Sequence, residues 1–98
     1  MELKEYNERL NKIETDFKSA KNNLHIEYGL SQAIYKIGDI IKDSRFTFKV
    51  DRITVYVSFG IPEPVYHGVE LKKDLTPKKN GTRAAIYGNH GIEIVKKA

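Results

Sequence analysis

The feature that most constrains this chain is a seven-residue repeat of apolar side chains in its first quarter. Apolar residues follow one another at alternating spacings of three and four, at Leu3, Tyr6, Leu10, Ile13, Phe17, Ala20 and Leu24. This is a heptad pattern, with a positions at 3, 10, 17 and 24 and d positions at 6, 13 and 20, and it forms one stripe on an α-helix. We predict such a helix from residue 2 to about residue 27, with Gly29 as its C′ residue.

The charged residues of this segment support the same helix. Three pairs place an acid four residues before a base, namely Glu5–Arg9, Glu8–Lys12 and Glu14–Lys18. Acids crowd the first turns, and the bases Lys18, Lys21 and His25 follow in what we expect to be the last turns, as the helix dipole favours.

A helix of this length is longer than a small domain can cover. It would extend about 39 Å, against roughly 25 Å for the width of a small barrel. One interpretation is that the stripe meets another protein or the same helix in a second chain, giving a homodimer. The other is that its second half packs on the chain's own domain while the first turns protrude. The candidate interaction and dimerisation residues are Leu3, Tyr6, Leu10, Ile13 and Phe17.

From Tyr35 onward the apolar period changes from 3.5 to 2, which is typical of β-strands. Alternation over 46–50 and 53–59 is interrupted by a slip of one residue, which predicts a β-bulge at Asp51–Arg52. Further strands are predicted over 65–71, 83–87 and 92–96, and Ile61-Pro62-Glu63-Pro64 is predicted to be a loop because proline lacks a backbone donor.

Glycines mark the remaining turns and contacts of this part. Gly68 is expected where two backbones approach closely, and Asn80-Gly81 and Gly88-Asn89-His90-Gly91 are expected to be hairpin turns. No helical pattern separates the strands, so a parallel sheet is not expected. The fold class predicted is α+β: a helix over residues 1–29, followed by a small antiparallel β-barrel of five to six strands over residues 30–98.

Two resemblances add to this prediction. The segment Tyr35-Lys36-Ile37-Gly38-Asp39-Ile40-Ile41 resembles the opening strand of SH3-like barrels, including those of nucleic-acid-associated proteins, and this implies an SH3-like barrel after the helix. The chain as a whole, with Leu71-Lys72-Lys73-Asp74 and Thr76-Pro77, resembles uncharacterised small proteins of phages and mobile elements of gut anaerobes. The absence of tryptophan argues against the aromatic groove with which SH3 domains bind proline motifs.

The sequence offers little for catalysis or metal binding. It has no cysteine, and its three histidines, His25, His67 and His90, are far apart without the spacing of a metal site. We expect His67 to be a hydrogen-bonded residue of the core or its edge, because it shares its strand face with Val65, Val69 and Leu71. The prediction is a protein that is not an enzyme, with no catalytic residue, no bound metal and no cofactor.

Composition limits the location and the class of partner. No apolar run approaches the ~20 residues of a membrane span. No secretory signal is recognised after Met1, and with the lack of cysteine this favours the cytoplasm. Residues 1–34 hold five Lys/Arg against six Asp/Glu, whereas residues 35–98 hold twelve against seven, so the positive charge lies in the β-rich part.

A basic loop is the candidate nucleic-acid-binding site. Its five cations, Lys72, Lys73, Lys78, Lys79 and Arg83, lie within twelve residues of one another. Cations near phosphates release condensed counterions, and nearby aromatic rings can stack on bases; the aromatic candidates are Tyr56, Phe59, Tyr66 and Tyr87.

Of the two binding functions, we rank a protein partner above nucleic acid. A long apolar stripe is the costlier feature to leave in water, at about 25 cal/mol per Å² of apolar surface, whereas exposed lysines need no partner. The sequence therefore favours a non-enzymatic binding module that acts through its helix or an edge of its barrel. Nucleic-acid binding through the loop over residues 72–83 is the alternative.

Overall fold

A computed structural model describes all 98 residues as one helix followed by five strands. The elements are α1 (Leu3–Ser31), β1 (Ile40–Lys42), β2 (Thr47–Ser58), β3 (Ile61–Glu70), β4 (Arg83–Tyr87) and β5 (Glu93–Lys96). The strands form one antiparallel sheet in the order β4-β3-β2-β1-β5. The molecule measures 68 × 27 × 23 Å because most of α1 extends beyond the sheet. The predicted α+β class and antiparallel pairing are confirmed.

The sheet is curled but open. Ile41 of β1 and Ile86 of β4 belong to one buried cluster although β2 and β3 lie between their strands, so the sheet bends over its own core. Its two edges, β4 and β5, are not hydrogen-bonded to each other. The strand number agrees with the lower predicted value, and the closed barrel that we expected is not present.

The predicted bulge in β2 is confirmed and explains the bend. The pairing of β2 with β3 shifts register between Val50 and Arg52, which leaves Asp51 without a partner. One additional residue returns the apolar side chains after the bulge to the face used before it. Phe48 and Val50 are therefore buried on the same side to which Ile53 packs.

The prediction of a loop at residues 61–64 is wrong, because Pro62 and Pro64 lie within β3. They pair in register with Val57 and Val55 of β2. The carbonyl of Pro64 accepts a hydrogen bond from the Gly88 amide, on the side of the strand away from β2. A residue's amide and carbonyl point the same way in a strand, so the missing N–H groups of both prolines face away from the β2 ladder.

Gly68 has the role expected from the sequence. A Cβ atom at this position would overlap the backbone carbonyl oxygen of Lys49 and the ring of Phe48. Only glycine therefore lets β3 lie this close to the buried part of β2.

The segment that resembles an SH3-like opening strand is mostly a turn, and β1 begins only at Ile40. Gly38 has φ +95°, a conformation that glycine adopts without steric cost. The buried Asp39 carboxylate accepts hydrogen bonds from the Lys36 amide at 2.9 Å and the Ala98 amide at 2.8 Å. The Ala98 and Lys36 amides lower the pKa of this carboxyl, because they stabilise its charged form.

The helix continues past its predicted end. Gly29 is not a C′ residue but lies inside α1, which ends at Ser31 with Gln32 as C-cap. The bases that we placed in the last turns therefore lie earlier, and the last turn has none. Of the three predicted ion pairs only Glu5–Arg9 forms, at 2.9 Å. Exposed pairs of this kind contribute little to stability, so the helix does not depend on them. No helix of the chain is both long and apolar enough to cross a membrane.

Tyr66 joins the helix end to the sheet. Its side chain is fully buried, and its hydroxyl donates to Asn89 Oδ1 at 2.6 Å and accepts from the Ile34 amide at 3.0 Å. The Asn89 amide nitrogen donates in turn to the Gln32 carbonyl at 2.8 Å. The network satisfies the backbone of the chain as it leaves α1, and burial raises the pKa of Tyr66.

We expect Tyr66→Phe to lower the free energy of unfolding by about 1–3 kcal/mol, because the Ile34 amide and Asn89 lose their partner in a buried site. Urea denaturation followed by circular dichroism measures this. Tyr56→Phe is the matched control, since Tyr56 is exposed and its hydroxyl makes no hydrogen bond within the chain. Equal stability of the two variants would contradict a structural role for the Tyr66 hydroxyl.

Candidate functional site

The apolar stripe of α1 is left uncovered by the rest of the chain. Every residue from Met1 to Leu24 is exposed, and the five candidate interaction residues are between 39% and 72% exposed. Those residues are Leu3, Tyr6, Leu10, Ile13 and Phe17. The interpretation in which the second half of the helix packs on its own domain holds only for the last two turns.

The attachment of α1 to the sheet depends on Gly29, the only buried residue of the helix. A Cβ atom at Gly29 would overlap the side chain of Val55 on β2. His25, one turn earlier on the same face, is half-buried. The glycine thus lets the helix backbone lie directly against β2, a signal that the sequence contained but that we assigned to a helix end.

The sheet contacts the side of α1 opposite the stripe. At 3.6 residues per turn, Gly29 lies about 140° around the helix from Leu24 and about 180° from Ala20. In heptad terms Gly29 is an f position, which faces outward when a and d face a partner helix. The stripe is therefore free along its whole length, and a helix bound to it would not meet the sheet of the same chain.

We expect Gly29→Ala to destabilise the fold by about 1–3 kcal/mol, because the added methyl group overpacks against Val55. At an exposed helical position the same change would stabilise by about 1 kcal/mol. Val55→Ala in the Gly29→Ala background should restore part of the loss by making room. Thermal unfolding of the wild type, both single variants and the double variant measures this coupling, and strictly additive effects would contradict direct contact.

Two of the five cations of the basic loop are neutralised by carboxylates. The Arg83 guanidinium donates to both oxygens of Asp51, at 2.7 and 3.0 Å, and this lowers the pKa of that carboxyl. The Lys78 ammonium donates to Glu70 at 3.0 Å. The sequence could not show these pairs, because Asp51 is 32 residues from Arg83 and meets it only through the β2 bulge and the register of β3 with β4.

The other three cations, Lys72, Lys73 and Lys79, make no ion pair within the chain. Lys72 lies where two shallow surface depressions meet. One is lined by Lys72, Lys78, Lys79 and Asn80, and the other includes Lys42, Lys72 and Lys73 among its lining residues. Lys42 of β1 thus lies beside these lysines, which linear spacing could not have shown, but its ammonium group is paired with the Glu93 carboxylate at 3.5 Å.

The aromatic residues expected near the loop lie elsewhere. Tyr66 is fully buried, so it cannot stack on a base, and that prediction is wrong. Tyr56 and Tyr87 are exposed and stack edge to face with ring centroids 5.4 Å apart. Phe59 is fully exposed at the turn between β2 and β3, where its φ of +50° is unusual for a bulky side chain. No aromatic residue lines either basic depression.

His67 takes the role that we predicted for it. Its Nε2 lies 2.7 Å from the Thr54 hydroxyl, a hydrogen bond within the sheet. Partial burial lowers the pKa of His67, and the neighbouring Arg52 and Arg83 guanidinium groups lower it further, because all three disfavour the charged ring. The three histidines do not join carboxylates in any group of three or more side chains.

An apolar groove beside β1 was missed by sequence analysis. Its volume is about 540 Å³, and its lining includes Ile37, Ile40, Val69, Leu71, Leu75 and Pro77. Leu75 has φ +66°, which is uncommon for leucine, and it also borders one of the basic depressions. These residues come from β1 and the turn before it, and from β3 and the segment after it, so only the folded chain brings them together.

Comparison with known proteins identifies no relative: no family model, no curated protein and no solved structure matches this chain.

Proposed function

We propose that this protein is a non-enzymatic binding module whose N-terminal helix docks on another polypeptide. The observation that carries the proposal is the exposed heptad stripe of α1, which faces away from the chain's own sheet. It is an apolar surface, about 33 Å long over residues 3–24, that nothing in the folded chain covers. Contiguous exposed apolar surface of this kind marks interaction sites.

The energetics of the helix support a partner. Residues 3–24 make no tertiary contact that buries them, so they rely on local propensity and on the turns attached to the sheet. Helices without tertiary packing are marginal in water, because most helical stability in proteins comes from burial of an amphipathic face. A partner that covers the stripe would supply that burial and order the protruding turns.

The edges of the sheet are weaker docking surfaces than the helix. The edge strands β4 and β5 are only five and four residues long. They carry Arg83, Glu93 and Lys96, and short charged edges disfavour the addition of a further strand. We therefore place the interaction on α1 rather than on an edge of the sheet.

We expect Leu10→Asp to weaken partner binding at least tenfold, because a carboxylate would be desolvated in an apolar seam. Asn11→Asp is the matched control, since it introduces the same charge at the neighbouring position, b, outside the stripe. Sedimentation velocity measures association between copies of this chain. Proteins that bind to immobilised wild type are purified, and titration calorimetry measures the affinity of each for the wild type and for both variants.

Neither variant should change the stability of the sheet, because the sheet does not bury Leu10 or Asn11. Equal binding by the Leu10→Asp and Asn11→Asp variants would place the interaction away from the stripe and reject the proposal.

Nucleic-acid binding through the basic loop is the second candidate function. It is favoured by three cations that carry no intrachain counter-charge, Lys72, Lys73 and Lys79. Each such cation that contacts a phosphate releases condensed counterions. Against single-strand stacking, the exposed aromatic residues lie outside both depressions.

The Lys72→Glu/Lys79→Glu double variant tests this second function. If the loop contacts phosphates, affinity for a single-stranded probe of about 20 nucleotides should fall at least tenfold at low salt, and the slope of log K against log salt should decrease by about 1.4. The Lys4→Glu/Lys18→Glu variant has the same net charge and alters only the helix. Fluorescence anisotropy measures both, and equal losses in the two variants would rule out a specific role for the loop.

We further propose that the curled sheet is a small barrel of the SH3-like kind that remains open. The strand order β5-β1-β2-β3-β4, with a long β2 bent by a bulge, supports this. The Gly38 turn and the Asp39 cap before β1, which carry the resemblance seen in the sequence, support it as well. In this arrangement the sheet serves as the rigid base from which α1 projects.

A further inference from the structure

We propose that the occupant of the stripe is a second copy of this chain, with the two α1 helices parallel and in register. This inference rests on the proposed function and specifies its partner. Three features support it: the charges beside the stripe, the face on which the sheet packs, and the poorer fit of the antiparallel alignments.

The side chains that flank the stripe are complementary in a parallel pair. In a parallel coiled coil the g residue of one helix faces the e residue of the next heptad in its partner. Here Arg9 and Asp16 occupy g positions, and Glu14 and Lys21 occupy e positions. Arg9 therefore meets Glu14 of the second copy and Asp16 meets Lys21, and each contact occurs twice in a symmetric pair. No like charges face each other in this alignment.

Antiparallel alignments are less favourable, because there g faces g and e faces e. The alignment that overlaps residues 6–24 sets Asp16 against Asp16 and Glu14 against Glu14, which is repulsive. The alignment that overlaps residues 3–20 keeps an attraction between Arg9 and Asp16, but it leaves Leu24 outside the seam. The parallel alignment alone covers all seven apolar positions and satisfies all four charged residues.

These charged groups are available for contact between chains. Glu14, Asp16 and Lys21 make no ion pair within their own chain. Arg9 contacts Glu5 at 2.9 Å, but both side chains are at least half exposed, and such pairs exchange at little cost.

The sheet leaves room for this assembly. Gly29 binds the sheet at an f position, so each sheet lies on the outer side of its helix, away from the seam. Parallel helices then place both sheets at the same end of the assembly. Leucine at a with Ile13 at d favours bundles of more than two helices, and the same g–e rule applies between neighbouring helices of such a bundle.

Two single charge reversals and their mixture test the alignment. Arg9→Glu places a carboxylate opposite Glu14 of a second copy, and Glu14→Lys places an ammonium group opposite Arg9. We therefore expect each variant to self-associate about tenfold more weakly than the wild type. In an equimolar mixture, a pair of unlike variants has opposite charges at both contacts. The unchanged Arg9 and Glu14 meet at one contact, and the two substituted side chains, a carboxylate and an ammonium group, meet at the other. Pairs of like variants keep two like-charge contacts, so unlike pairs should form preferentially and the equimolar mixture should associate more tightly than either variant alone.

The double variant Arg9→Glu/Glu14→Lys gives the direct test of recovery. It exchanges the two charges, so every contact between positions 9 and 14 of a parallel pair again joins opposite charges. Its association should return to within about twofold of the wild type. Sedimentation equilibrium from about 5 to 200 µM measures these constants, with circular dichroism to compare helix content.

The charge exchange distinguishes contact between chains from effects within one chain. Positions 9 and 14 are five residues apart, so they are not i,i+3 or i,i+4 neighbours on a single helix. Recovery in the double variant can therefore come only from contact between chains. If Glu14→Lys associates as well as the wild type, or if the double variant does not recover, the parallel alignment is wrong.

Cysteine cross-linking gives an independent measurement, because the chain has no cysteine of its own. In the parallel alignment Ala20 faces Ala20 of the second copy, so Ala20→Cys should form a disulfide-linked dimer under mild oxidation. Asn22→Cys is the matched control, since position f faces away from the seam. Equal cross-linking of the two variants would contradict the alignment.

The failure of this inference is distinguishable from failure of the proposed function. A wild type that stays monomeric to about 200 µM, yet binds a different purified protein in a manner abolished by Leu10→Asp, overturns self-association and leaves the docking function intact. If no protein binds and no copies associate, both are rejected.

Discussion

The packing of Gly29 on Val55 governs the shape of the whole molecule. It fixes which side of α1 faces the sheet, and therefore which side remains in solvent. A residue with a side chain here would hold the helix away from β2 or rotate it. The Tyr66–Asn89–Gln32 hydrogen bonds hold the chain just after α1, so the direction in which the helix projects is set by buried contacts.

The sheet and the helix divide structural and surface roles between them. The strands supply the one buried core, which is built around Ile41, Phe48 and Tyr66. The apolar residues of the helix contribute nothing to that core, although they are as regularly spaced. This separation is the physical reason for proposing that interaction involves α1: the β-rich part has a buried core of its own, whereas the stripe of the helix is buried by nothing in the chain.

Ion pairs decide how much of the basic loop is electrostatically free. Arg83 and Lys78 are held by Asp51 and Glu70, whereas Lys72, Lys73 and Lys79 are not paired. A count of cations along the sequence therefore overstated the charge available to a polyanion, and Lys42, which β1 brings to the same surface, is itself paired with Glu93.

Elements whose signals are local could be predicted from the order of residues alone. The heptad period predicted α1, the slip between Val50 and Ile53 predicted the bulge, and Gly68 predicted a close approach of strands. Features that depend on partners distant in the chain were settled only when the chain folded. Only in the folded chain is the sheet seen to stay open, with the two prolines within β3 and their missing donors facing away from β2. The packing of Gly29 on the sheet turns the stripe away from it, whereas local rules interpret a glycine at this position as a helix end, because the contact with Val55 cannot be read from neighbouring residues.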